Sequence, residues 1–246
     1  MQSSADPFSN HPELRTSILD PEKSFFRALT VDDLAARMQE FGITDVWWYS
    51  DIEREALRAD ALRGRPEGDL WVFAYGSLMW DPAIKFTDVR RAHAPDYARL
   101  FILKDIFGGR GTRETPGLMA ALDRGPGCDG LAFRIHQSAV DQETYILWQR
   151  ELLGPCYLPK FISTDIGGEY VQALTFVADH DTELIDANIT REEQIKCLAT
   201  GTGILGTSME YLRNIAHKFS ILGIDDPMVT ALLRDAEAYL ASIHAA

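Results

Sequence analysis

In the stretch Leu70-Trp71-Val72-Phe73-Ala74-Tyr75-Gly76-Ser77-Leu78 the chain changes its period. Branched and aromatic residues crowd positions 70–75, which reads as a strand, and Gly76-Ser77 turns the chain out of it. Similar short runs follow at 100–104, 118–122, 131–135 and 170–177. Within 131–135, Leu131, Phe133 and Ile135 alternate with Ala132 and Arg134, as suits a sheet with one buried face.

Upstream the pattern is helical. Thr30-Val31-Asp32-Asp33 has the form of a helix start, followed by Leu34, Met38 and Phe41 at helical spacing until Gly42. Ser50-Asp51-Ile52-Glu53 is a capping box for a second helix running toward Arg63-Gly64-Arg65-Pro66. The neighbouring Trp47-Trp48-Tyr49 is too apolar to leave in water and is expected to dock on the main domain or on a second subunit. Downstream of Asp179 helices return. Thr207-Ser208-Met209-Glu210 is a capping box, Met209, Leu212, Ile215, Ala216 and Phe219 form an apolar stripe, and Gly223 closes that helix. Asp226-Pro227 opens a last one. Strands gathered in the middle and helices at the ends predict an α+β fold, with residues 1–68 as a helical N-terminal extension and 69–246 as the main domain.

Composition narrows the functional classes. At 46% hydrophobic and 25% charged residues, the 246-residue chain matches ordinary globular proteins and excludes disordered and collagen-like classes. Residues 1–20 have neither a basic start nor an apolar stretch, and no apolar run is long enough for a bilayer, so a soluble cytoplasmic protein is expected. The net charge of −13 repels phosphate backbones and anionic lipid, and Arg90-Arg91 is the only short basic cluster, which argues against nucleic acid or membrane as partner. Cys128, Cys156 and Cys197 are odd in number and widely spaced, so they read as reduced thiols and not as a disulfide framework or metal motif.

Two places carry chemistry. The helix expected between Ser138-Ala139-Val140-Asp141 and Gly154-Pro155 places Val140, Thr144, Leu147, Trp148 and Glu151 within one stripe about 100° wide. A carboxylate on an inward stripe either lines a cavity with a raised pKa, as proton transfer requires, or is a helix-end Glu paired with a neighbouring cation. Periodicity leaves both readings open. The other place is the strand-to-turn segment Val72, Phe73, Ala74, Tyr75, Gly76, Ser77 and Leu78, where Gly76 lets backbone approach a ligand and successive amides can bind a carboxylate or oxyanion. An ordinary turn remains the bland alternative.

Several spaced motifs in order give a resemblance. Tyr75-Gly76-Ser77-Leu78-Met79-Trp80 with Pro82, then Arg110-Gly111-Thr112 with Pro116-Gly117, then Arg150-Glu151 with Tyr157, resemble the signature of ChaC-like γ-glutamylcyclotransferases. Two positions depart from it: Ala74 stands where the family usually has Gly, and Ser208 where Asn is expected ahead of Glu210-Tyr211. The resemblance implies a small mixed barrel-like sheet with packed helices. It also implies a pocket over the Gly76 turn, with Val72, Phe73, Ala74, Tyr75, Gly76, Ser77, Leu78, Arg110, Tyr157 and Tyr211 holding a γ-glutamyl substrate and Glu151 moving the proton. The implied activity converts glutathione to 5-oxoproline and Cys-Gly without metal or organic cofactor. Cleavage of other γ-glutamyl-amino acids or γ-glutamylamines, or a non-catalytic γ-glutamyl-binding module, are the alternatives.

Other patterns are weaker. Gly201-Thr202-Gly203-Ile204-Leu205-Gly206 matches a dinucleotide fingerprint with Asp225 downstream, but a helix, not a strand, is expected before it. Cys156 lacks a local base, with His136 at the far end of the helix. Asp179-His180-Asp181 reads as a solvated loop, and His136, Ser138 and Asp141 as helix-start capping groups.

Overall fold

A computed structural model describes residues 6–40, 42–43 and 48–245. In chain order the main elements are α1 (Val31–Glu40), α2 (Asp51–Leu62), β1 (Leu70–Ala74), β2 (Asp88–Ala94), β3 (Tyr97–Phe107), β4 (Thr112–Arg124), β5 (Cys128–Ile135), α3 (Val140–Glu151), β6 (Tyr157–Ile166), β7 (Glu169–Ala178), α4 (Arg191–Thr200), β8 (Thr202–Gly203), β9 (Gly206–Thr207), α5 (Ser208–Leu222) and α6 (Pro227–Ala245). The α+β expectation holds, with strands central and the long helices at either side in sequence. The chain forms two compact units. The first comprises Met1–Thr30, Trp48–Arg99 and Leu122–Val177; the second comprises Val31–Trp47, Leu100–Ala121 and Ala178–Ala246.

The first unit is built on a closed barrel. β1 pairs antiparallel with β5 from Leu70↔Ile135 to Ala74↔Leu131, and β5 pairs with β2 from Asp88↔Arg134 to Ala94↔Cys128. β2 meets β6 at His93↔Asp165, β6 neighbours β7, and β7 returns parallel to β1 at Trp71↔Ala173 and Val72↔Leu174. Closing the ring leaves no unpaired edge between these strands. β4 joins β7 at Leu122↔Val177. Val72, Phe73, Leu131, Phe133, Leu174 and Phe176 are buried here, and α3 adds Leu147 and Trp148, whose indole meets the Phe176 ring edge-on at 5.3 Å. Each such side chain stabilises the fold by about 1.5–3 kcal/mol on full burial.

Strands β2 and β6 are absent from the sequence reading. Asp88-Val89-Arg90-Arg91-Ala92-His93-Ala94 carries too many polar residues to register as an apolar run, and β6 contains Pro159 and Lys160. Both are strands because the barrel supplies partners on either side, not because of local propensity. The capping box at Ser50 and Glu53 forms as expected and opens α2. α3 starts differently from the reading. His136, not Ser138, accepts the capping amide, for a short 3-10 turn at Gln137–Ala139 that leads into the helix. Trp47 and Phe41 lie outside the described residues; Tyr49, beside Trp48, donates its amide to the Leu153 carbonyl at 2.9 Å.

The N-terminal stretch of this unit forms 3-10 turns at Pro12–Leu14, Pro21–Lys23 and Phe25–Arg27 and buries Leu14, Ile18 and Leu29. Leu19 donates to the Trp80 carbonyl at 2.7 Å, and Val89 of β2 donates to the Pro7 carbonyl at 3.1 Å. Its strongest anchor is Arg27, which forks onto both oxygens of Glu143 in α3 at 2.7 and 3.0 Å and reaches the Ala83 carbonyl at 2.9 Å. Glu143 is buried and also accepts the Lys85 amide at 2.7 Å.

In the second unit α4, α5 and α6 pack together, laced by Arg191–Asp235 at 2.8 Å and Arg213–Glu237 at 2.9 Å. Thr207 and Glu210 form the expected capping box, and Gly223 ends α5 in the left-handed region at φ 62°. Lys104 pairs with Asp186 at 2.5 Å, and Gln194 of α4 donates to the Phe101 carbonyl at 3.0 Å. Among the described residues no helix is long and apolar enough to cross a membrane.

Removing one partner of a buried ion pair strands the other, at a cost of about 3–5 kcal/mol. Arg27→Ala should therefore lower stability by about 3 kcal/mol, read as a lower midpoint in urea denaturation.

Candidate active site

The Gly76 turn leaves the end of β1 and is held on several sides. Tyr75 is buried; its hydroxyl donates to the Phe176 carbonyl of β7 at 2.8 Å, while its own carbonyl accepts from Arg99 Nε at 2.6 Å. Arg99 also donates to the Asp129 carbonyl. Thr175 Oγ1 donates to the Phe73 carbonyl at 3.0 Å. Gly76 heads the 3-10 turn Ser77–Met79, in which Met79 donates to the Gly76 carbonyl at 2.9 Å. The amides of Ser77 and Leu78 come before the first donor of that turn, Met79, so the turn itself does not use them. The side chains of Val72, Phe73, Ala74, Tyr75 and Leu78 are buried. What this segment offers a ligand is backbone.

Glu151 is the last residue of α3, and its side chain is 14% exposed. It sits among buried groups, and it is paired: Arg150 Nε donates to Glu151 Oε1 at 2.8 Å. The same guanidinium donates from Nη2 to Ser77 Oγ at 2.8 Å and from Nη1 to the Asp81 carbonyl, with Asp81 Oδ1 at 3.6 Å from Nη1. Arg150 thereby ties the helix end that carries the acid to the turn that carries the amides. Burial pushes the Glu151 carboxyl above its usual range; Arg150 pulls the other way, and Asp81 adds to the rise. A helix C-terminus also disfavours an anion. The net effect is a carboxyl that holds its proton more tightly than a free glutamate does. Tyr157, the first residue of β6, is half-buried.

The second unit gathers the remaining sequence candidates. Arg110 stacks over the Tyr211 ring with Cζ 5.2 Å from its centroid and donates to the Thr207 carbonyl at 2.9 Å. The loop carrying it is organised by Asp105, whose buried carboxylate accepts the amides of Phe107, Gly109 and Arg110. Burial raises the Asp105 pKa, and these amides oppose the rise. Gly111 and Gly117 approach so closely that a Cβ on Gly111 would lie 1.8 Å from the Gly117 nitrogen. Ser208, the departure from the family pattern, is fully buried; its Oγ accepts from the Leu118 amide at 2.9 Å and donates to the Arg110 carbonyl at 3.3 Å. It serves as a staple between α5 and the Arg110 loop. Tyr211 Oη accepts the Ala120 amide at 3.3 Å.

Sequence reading missed Arg99, Asp81 and Asp105, and took Arg150 only as part of a motif. Asp105-Ile106-Phe107-Gly108-Gly109 does carry a local signal, an Asp before a Gly-rich turn. The carbonyls that Arg99 caps are distant in sequence and leave none. Gly201-Thr202-Gly203-Ile204-Leu205-Gly206 is the tight β8–β9 hairpin following α4, not a strand-to-helix phosphate loop. Asp179 Oδ1 accepts the Asp181 amide at 3.0 Å, a local turn. Among the described residues no cluster of three His, Cys, Asp or Glu side chains is placed to hold a metal ion.

The barrel, the packed helices and the glycine turn beside a buried carboxyl define the γ-glutamylcyclotransferase fold class. A crystal structure titled as a gamma-glutamyl cyclotransferase specific to glutathione from yeast superposes with a TM-score of 0.64 at 20% identity, covering 70% of this chain and 97% of that one. The ChaC-like protein family model matches residues 70–239. In sequence the chain is 34% identical over 195 residues to the glutathione-specific gamma-glutamylcyclotransferase of Escherichia coli (strain K12), covering 78% of this chain and 84% of that protein. It is 30% identical over 168 residues to glutathione-specific gamma-glutamylcyclotransferase 1 of Danio rerio, covering 65% of this chain and 85% of that protein. The chain belongs to the ChaC-like family.

Because burial raises the Glu151 pKa above its ordinary 4.5, the native state binds its proton more tightly than the unfolded chain does. Stability from this group is fully present below pH 4.5 and is lost as pH rises through the native value. Glu151→Gln should therefore melt above the wild type at pH 8 and level with it near the acid end, in paired calorimetric scans. Ser208→Ala strands the Leu118 amide and should cost about 1–3 kcal/mol by the same method.

Proposed function

We propose that this chain is a γ-glutamylcyclotransferase converting glutathione to 5-oxoproline and Cys-Gly, with Glu151 as general acid and base. The observation that carries the proposal is the raised-pKa carboxyl of Glu151 tied through Arg150 to Ser77 of the glycine turn. The relatives in Escherichia coli and Danio rerio, both glutathione-specific gamma-glutamylcyclotransferases, support the choice of glutathione.

The reaction needs a proton moved twice. The substrate's α-amine loses a proton to Glu151 and attacks its own γ-amide carbonyl carbon, closing the five-membered lactam. The carbonyl oxygen becomes an oxyanion, for which the Ser77 and Leu78 amides are the donors. The bond from that carbon to the cysteinyl nitrogen then breaks, and Glu151 returns the proton to the departing amine. Nucleophile and electrophile share one molecule, so much of the rate comes from holding the γ-glutamyl chain folded. No electron changes hands and no co-reactant is consumed, so the reaction as written calls for no cofactor.

The family pattern assigns Arg110, Tyr157 and Tyr211 to substrate contact, and the proposal carries that assignment over. Val72, Phe73, Ala74, Tyr75 and Leu78 contribute backbone and rigidity. Among the described residues Cys128, Cys156 and Cys197 are not joined in disulfides, in keeping with a reducing cytoplasm where glutathione is found. Residues 69–246 make the catalytic domain in this reading, with residues 1–68 as its N-terminal extension.

The test is to incubate the protein with reduced glutathione, and separately with γ-glutamyl dipeptides and γ-glutamylamines, and to measure 5-oxoproline by mass spectrometry. Release from glutathione is expected, and Glu151→Gln should lower kcat about 10²–10⁴-fold. Full activity in that variant would remove Glu151 from the role. Release only from another substrate would change the specificity, and silence across the set would favour a binding module.

A further inference from the structure

Residues 6–30 precede the family match at 70–239, yet they belong to the same compact unit as the barrel and α3. The 3-10 turn Phe25–Arg27 touches α3 at two points. Ser24, buried, caps this turn by accepting the Phe26 amide at 3.2 Å. Arg27 then grips Glu143 with both arms of its guanidinium. One residue earlier, the Phe26 ring lies under the Arg150 guanidinium, with Cζ 4.3 Å from the ring centroid. Glu143 and Arg150 are two helical turns apart on one face of α3, so consecutive residues of the segment engage both.

The chemistry of Arg150 gives this stacking a consequence. A guanidinium is planar, and its donors work only in that plane. In the plane each of the three Arg150 nitrogens is engaged: Nε on Glu151, Nη2 on Ser77 Oγ, and Nη1 on the Asp81 carbonyl. The Phe26 ring covers the guanidinium from one side, with Cζ 4.3 Å from its centroid. A ring at this distance opposes movement that would swing Nε away from Glu151, and it keeps water from competing for the same donors.

We propose that Phe26, carried by the N-terminal segment and pinned through the Arg27–Glu143 pair, is a positioning residue that holds Arg150 in the orientation bonding Glu151 to the glycine turn. Its effect on catalysis rests on the acid/base role proposed for Glu151. Its effect on Arg150 does not.

The experiment follows Arg150 directly. Exchange of its Nε–H with water is measured by side-chain ¹⁵N NMR on the full chain, with the signal assigned by its disappearance in Arg150→Lys. Phe26→Ala should speed exchange about tenfold, whereas Phe26→Trp, which keeps an aromatic face, should stay within about twofold of wild type. Asn10→Ala is the control. It breaks a different anchor of the same segment, the Asn10 Nδ2 bond to Asp88 Oδ1 at 3.1 Å, and should leave the exchange unchanged. If Phe26→Ala fails to fold, Phe26→Leu keeps the apolar volume without the π face and should show the same acceleration. In 5-oxoproline assays Phe26→Ala should lower kcat about tenfold with KM within about twofold, and Phe26→Trp should restore it. Unchanged exchange in Phe26→Ala or Phe26→Leu overturns the proposal, as does equal acceleration by Asn10→Ala, which would mean general loosening of the segment. A wild type that releases no 5-oxoproline from any γ-glutamyl substrate would defeat the proposed function, while the exchange rates would still decide the role of Phe26.

Discussion

A guanidinium stays charged at every pH a protein meets, so when it is buried its N–H groups must find acceptors or the fold loses several kcal/mol. Arg150, with a side chain only 3% exposed, is such a group, and its needs organise the first unit around it. It sits at the end of α3, beside the acid it pairs with. Further acceptors come from the turn after β1, and a ring from the N-terminal segment lies beneath its Cζ. Three stretches far apart in sequence are brought together by one side chain. The barrel makes this geometry repeatable: β1 is paired on both sides, by β5 and β7, so the turn that leaves it starts from a fixed place.

The two units use a buried carboxylate in different ways. In both, burial raises the pKa. Asp105 is surrounded by backbone amides of its own loop and spends its acceptor capacity on shaping that loop. Glu151 receives a side-chain donor on one oxygen, in a setting with no local loop to organise. A carboxylate that completes a turn is structural; the one held by a guanidinium next to a glycine turn is the group to which the proposed reaction gives proton transfer. Ser208 illustrates the same distinction. It departs from the family pattern, and its hydroxyl is occupied by Leu118 and Arg110.

Much was legible in the sequence where the signal is local. The capping boxes at Ser50–Glu53 and Thr207–Glu210, the stop at Gly223, the inward stripe of α3 and the turn at Gly76 each depend on residues a few positions apart, and each is where the sequence put it. The ordered motifs around Tyr75, Arg110 and Glu151 likewise fixed the family, because several short patterns in register are far more specific than one. Tertiary structure alone decided that β2 and β6 are strands, since their polar and proline-bearing sequences become extended only between barrel neighbours. It alone decided that His136 caps ahead of α3, that Arg99 closes the Tyr75 carbonyl, and that Phe26 and Arg27 reach α3. The reason is physical: a cap or a stripe is fixed by the helical repeat and can be read from spacing, whereas a buried cation chooses its acceptors from whatever the folded chain brings within about 3 Å, and no spacing along the sequence encodes that choice.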